Sequence, residues 1–172
     1  MSIVLLGSTS GSCTLQEQAV AGTTTLTLPI TSGTVAINGP AFSAYQSATQ
    51  TLTGTVTTKI QCQTEEFDTA NCYDNTTNYR FTPNVAGYYQ FNAAWTANTN
   101  PANLNITFYK NGVVEKRGQN IQANAATVTV SALIYLNGTT DYVELYVFSS
   151  TTQAGFLGVT GVYFQGAMVR GA

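Results

Sequence analysis

The sequence contains no histidine in 172 residues. Histidine is the commonest general base near neutral pH and the commonest metal ligand, so its absence removes Ser-His-Asp and Cys-His nucleophiles and most zinc sites together. Charge is scarce too. Six Lys plus Arg stand against 8 Asp plus Glu, 8% of the chain, where about a quarter is usual. A formal net charge of −2 with dispersed basic residues cannot neutralise a run of phosphates or hold an anionic bilayer. Nucleic acid and membrane are therefore not expected partners. Cys13, Cys62 and Cys72 form no CxxC pair, so free thiols are expected. A Cys62 to Cys72 bridge would require strands that place the two face to face. No stretch approaches the roughly 20 apolar residues of a membrane-spanning helix. The opening Met1-Ser-Ile-Val-Leu-Leu-Gly7 lacks the basic region and the length of a secretory core, so no export is expected.

What is present points to a folded, all-β chain. Hydrophobic residues make up 44% and aromatics 11%, with 10 Tyr and 8 Phe, which excludes a disordered tail. Thr, abundant throughout, favours strands, while Asn and Gly favour turns. Residues 1–39 carry only Glu17 as a charge and are expected to form an extended, Thr-rich attachment arm. Thr25, Leu26, Thr27 and Leu28 alternate up to Pro29 as one short strand in it. The turn signal Asn38-Gly39-Pro40 marks the expected boundary with a domain at residues 40–172.

From Ala41 onward, short alternating runs recur between turn signals, the pattern of a sandwich or barrel. Tyr89, Phe91, Ala93 and Trp95 share one parity and are expected in the core, as are Leu104, Ile106 and Phe108. Asn111-Gly112 is the strongest hairpin signal. Val128, Val130, Ala132, Ile134 and Leu136 form another core row. After a turn at Asn137-Gly138, Val143, Leu145 and Val147 are expected on the partner strand. The opposite parity carries Leu133, Tyr135, Tyr142, Tyr146 and Phe148, too apolar for a face that meets only water. Such a face is either covered by loops or is a subunit interface, where aromatics are enriched and charges depleted. Scarcity of charge favours the interface.

These residues resemble a known family. Phe81-Thr-Pro-Asn-Val-Ala-Gly87-Tyr-Tyr89-Gln-Phe91 has the Phe-x5-Gly-x-Tyr-x-Phe spacing of the globular head of complement component one-q, in the tumour necrosis factor-like jelly-roll superfamily. Pro40-Ala-Phe-Ser-Ala is similar to the family's opening strand, and Thr140-Asp-Tyr-Val-Glu-Leu-Tyr-Val to its penultimate region. Gly155-Phe-Leu-Gly and Gly161-Val-Tyr-Phe are similar to its closing strands. The resemblance implies a two-sheet jelly-roll sandwich that trimerises about an axis lined by aromatics. Tyr163 stands where the superfamily commonly places an axial aromatic, or is simple core. Gly87 is expected to permit an unusual backbone at strand entry.

The arm also looks familiar. Gly7-Ser-Thr-Ser-Gly-Ser-Cys-Thr-Leu-Gln and Ala21-Gly-Thr-Thr-Thr-Leu-Thr-Leu-Pro are similar to Thr-rich leaders of tailed-phage structural proteins. Together the two resemblances imply a non-enzymatic virion component, made in the host cytoplasm. The expected protein is a homotrimeric capsid decoration or cement protein that contacts the major capsid protein or another virion protein through its arm. The rival expectation is the receptor-binding tip of a short tail fibre, stacking a host glycan on Tyr45, Tyr73 or Tyr79. A bacterial adhesin of the same fold comes next. No cofactor is expected. Glu65, Glu66, Asp68 and Asp74, in an apparent surface loop, form either a solvated acidic cluster or a calcium site, since calcium takes six to eight oxygens.

Overall fold

The alternating runs do form strands, and no helix occurs among the described residues, which are 3–6, 12–15, 39–122 and 127–172 of the computed structural model. The expected arm strand, Thr25, Leu26, Thr27 and Leu28, lies outside them. Two compact units divide the chain, Met1–Val35 and Ala36–Ala172. In the first, β1 (Ile3–Leu6) and β2 (Ser12–Leu15) pair antiparallel.

In the second, the early strands are β3 (Ala41–Tyr45), β4 (Thr51–Leu52), β5 (Thr57–Lys59), β6 (Thr64–Asp68), β7 (Tyr73–Asp74) and β8 (Arg80–Phe81). There follow β9 (Gly87–Thr96), β10 (Leu104–Lys110), β11 (Val113–Ile121), β12 (Thr127–Leu136), β13 (Val143–Ser149), β14 (Gln153–Ala154) and β15 (Val162–Gly171). One sheet runs β12-β9-β15-β3-β6, a second β11-β10-β13-β8-β7 with β5 also on β13, and β14 pairs with β4.

Every apolar row expected in the core points between these two sheets. Tyr89, Phe91 and Trp95 are buried, as are Leu104, Ile106, Phe108, Val128, Val130, Ile134, Leu136, Val143, Leu145 and Val147. Phe42 stacks on Phe81 at 4.7 Å and Tyr73 at 4.9 Å, and meets Phe164 edge-on at 4.9 Å. Such pairs add roughly 0.5–1.5 kcal/mol each beyond the area they bury. The hairpin at Asn111-Gly112 joins β10 to β11, with φ of 53° and 77° as a type I′ turn requires.

Three expectations need correction. β12 and β13 are not partners: β12 pairs with β9, and β13 with β10, β8 and β5. Residues 137–142 carry the chain from one sheet to the other. Asn137 Oδ1 accepts N–H bonds from Thr139, Thr140 and Asp141 to hold that crossing. Glu65, Glu66 and Asp68 belong to β6, an edge strand, not to a loop. Gly87 has no positive φ. It is needed because a Cβ there would stand 2.5 Å from the Arg170 carbonyl oxygen, where β9 and β15 meet.

Candidate subunit interface

A sandwich has two outer faces, and the crossing between β12 and β13 distributes the expected interface residues between them. Leu133 and Tyr135 project from the five-stranded sheet and are 51% and 42% exposed. Tyr163 lies on the same face, half-buried, with Ala94 and Tyr45 as its register partners. Tyr146 and Phe148 project from the six-stranded sheet, and Tyr142 precedes β13 on that side. Parity along a strand says which residues share a side of their own sheet. It does not say which side of the sandwich that is. The six residues therefore do not form one surface.

On the five-stranded sheet, β9 and β12 contain no charged residue. Tyr135 stands opposite Tyr88, with ring centroids 5.4 Å apart. Tyr88 is 41% exposed and Val169 56%. A shallow groove of about 700 Å³ is lined by Tyr88, Leu133, Tyr135, Val169, Arg170, Gly171 and Ala172. Lys110 reaches its edge, donating to the Tyr135 carbonyl at 2.8 Å and pairing with Asp141 at 3.0 Å. Beyond the aromatic end the face turns polar. Gln90 donates to Ser131 Oγ at 2.9 Å, and Ser131 donates to Asn92 Oδ1 at 2.8 Å. These bonds satisfy polar side chains without bringing charge to the surface. Sequence reasoning missed Tyr88 and Val169. Tyr88 was legible as an aromatic of the outward parity directly beside core Tyr89, whereas Val169 lies within a register shift of β15, between Met168 and Arg170, that no pattern announces.

The six-stranded sheet offers a different chemistry. Tyr109 and Tyr146 stack with centroids 4.1 Å apart, and the Arg80 guanidinium lies 4.1 Å from the Tyr142 ring centroid. Between these rings Glu144 is buried and pairs with Lys59 at 3.0 Å. Burial first, then the Glu144 charge, push the Tyr146 hydroxyl above its ordinary pKa. The aromatics here are engaged with one another and with charged groups, so this face has less free apolar surface to offer a second subunit.

The other candidate residues fall in separate places. Tyr73 is buried against Phe42 and donates to the Cys62 carbonyl, so it is core and unavailable for stacking a ligand. Tyr45 is half-buried on the five-stranded sheet, and Tyr79 is half-buried in a left-handed conformation, φ 49°. Cys62 and Cys72 are buried and unbridged. Of the four acidic residues, Glu66, Asp68 and Asp74 have oxygens that serve the protein's own donors. Asp68 accepts from the Ala70 and Tyr73 N–H groups, Glu66 from Ser43 Oγ, and Asp74 from the Thr76, Thr77 and Asn78 N–H groups. Among the described residues no group of three or more carboxylates or thiols converges.

The chain matches no protein-family model and no curated protein. It is similar to several solved structures. The globular domain of zebrafish complement 1qA protein is 17% identical, with a TM-score of 0.58 over 77% of this chain and 99% of that one. Eiger TNF from S. frugiperda is 8% identical, with a TM-score of 0.59 over 79% and 96%. PRD1 vertex protein P5 is 14% identical, with a TM-score of 0.60 over 76% and 73%. The protein is thus an all-β jelly roll of the complement-head and tumour necrosis factor type.

Proposed function

We propose that this chain is a virion structural protein, a homotrimer that decorates or cements a capsid, with the outer face of the five-stranded sheet turned toward the threefold axis. The observation that carries the reading is the uncharged, half-exposed cluster of Tyr88, Leu133, Tyr135 and Val169 on that face. A contiguous apolar patch of this kind on a protein with so few charges favours self-association over exposure to water. Likeness of fold to a vertex protein and to complement and TNF domains supports assembly as its role, and no catalytic group enters the reading. The partner outside the trimer is the major capsid protein or another virion protein, contacted through residues 1–39.

In this division of labour the jelly roll makes the trimer and the arm makes the attachment. Backbone pairing of an uncharged, Thr-rich segment with a sheet edge needs no ion pair, so attachment is expected to be insensitive to salt. The test deletes residues 2–38 and offers the remainder to capsids stripped of the protein. The truncated protein is expected to keep the trimer mass and lose occupancy. Full occupancy by the truncated trimer would place attachment on the jelly roll and overturn the assignment.

A further inference from the structure

The loops at one end of the sandwich carry no charge at all. β3 runs from Ala41, opposite Ala167, to Tyr45, opposite Tyr163, so the segments that follow Tyr45 and precede Val162 lie together at the end away from residue 40. Hydrogen bonds gather those segments. Gly158 N–H donates to the Gln46 carbonyl, Phe156 N–H to Thr96, Asn98 N–H to Ala154 and Thr55 N–H to Ser149, all at 2.8–2.9 Å. Residues 46–58, 97–103 and 149–161 contain no Asp, Glu, Lys or Arg. Their polar side chains are Thr, Ser, Asn and Gln, and Val56, Phe156, Leu157 and Val159 are exposed among them. Gln46 Oε1 and Asn103 Oδ1, both buried without a hydrogen-bond partner, belong to this same end.

We propose that this pole binds a neutral polysaccharide, with the Phe156 ring stacking on a sugar face and the surrounding amides and hydroxyls bonding to sugar hydroxyls. Charge decides between ligand classes. An anionic polymer would find no cation here, and an ordinary protein surface would bury its own charges against a face that offers them no counter-ion. A neutral saccharide brings only hydroxyls and C–H faces, the groups that amides and an exposed aromatic satisfy. Such binding is additional to the structural role and gives the end away from residue 40 a ligand of its own.

The full-length protein is run in native gels containing dextran, mannan or a β-1,3-glucan, with hyaluronate as the charged comparison. Retardation by at least one neutral polymer is expected, unchanged between low and high salt and weakened at least tenfold in Phe156→Ser and Leu157→Ser. Both positions are about half exposed, so folding is retained. Light scattering and capsid occupancy of the two variants should match the parent, which separates failure of this proposal from failure of the assembly reading. Absence of retardation by all three neutral polymers, equal retardation by hyaluronate, or a loss of capsid occupancy in Phe156→Ser would each overturn it.

Discussion

Leu133→Asp is the substitution that tests the assembly face most directly. Leu133 is 51% exposed in the isolated chain, so the mutation costs the folded subunit little, and its effect falls on whatever covers it. Full burial of a leucine contributes roughly 1.5–3 kcal/mol, so covering the exposed half contributes about 1 kcal/mol per subunit. Three subunits then lose about 3 kcal/mol, about a hundredfold in the assembly constant, from burial alone. Three carboxylates brought to the same surface add their desolvation to that loss, offset in part by Arg170, which lines the same groove. Light scattering coupled to size exclusion at micromolar concentration is the assay. The parent chain is expected at three times its 18.3 kDa, and Leu133→Asp at the monomer mass with an unchanged far-ultraviolet spectrum. Tyr146→Ser, on the opposite outer face, is expected to keep the trimer mass. A monomeric parent, or a Leu133→Asp protein that still runs as a trimer, would refute the reasoning.

The remaining predictions concern the fold that presents this face. Gly87→Ala places a Cβ 2.5 Å from the Arg170 carbonyl oxygen, and urea unfolding is expected to show a loss on the order of 1–3 kcal/mol, as for other overpacked sites. Burial pushes the Cys62 thiol up to about 12, so a thiol reagent at pH 8 should leave Cys62 unmodified in the native protein and label it on unfolding; rapid native labelling would contradict its placement. The N–H of Thr77, with those of Thr76 and Asn78, holds Asp74 far below the usual carboxylate range. Its folded pKa lies below its unfolded one, so its stabilisation is present above the unfolded value and is lost as pH falls through the folded value. The difference in melting temperature between the parent and Asp74→Asn is therefore expected to be full at neutral pH and to vanish in strong acid; a difference that grows on acidification would reverse the assignment.

How far the sequence reveals this architecture depends on what each residue's position is decided by. Tyr89 to Trp95, Leu104 to Phe108 and Val143 to Val147 were legible because a strand with one buried face must alternate, and the alternation is local. Asn111-Gly112 was legible because its two left-handed residues specify the turn by themselves. Asn137-Gly138 carries a similar signal and has a different outcome, since a turn says that the chain reverses and not which sheet receives it. The partner of β12 is β9, with Leu136 opposite Gly87 and Thr127 opposite Thr96, a choice made by long-range packing. β6 escaped notice because an edge strand bonded on one side, with a register shift between Ser43 and Ala44, imposes no burial rhythm on Thr64-Glu-Glu-Phe-Asp. Tyr73 escaped because a two-residue strand among turn residues shows no period at all. The outward aromatics were visible as a set and misassigned as a surface for the same reason: their strands were joined in sequence but parted in space. The pair that resolves the ambiguity is Tyr88-Tyr89, adjacent aromatics on a strand interior to its sheet. Tyr89 must face the core it shares with Phe81, so Tyr88 must face outward, and its register with Tyr135 puts both on the outer face of the five-stranded sheet.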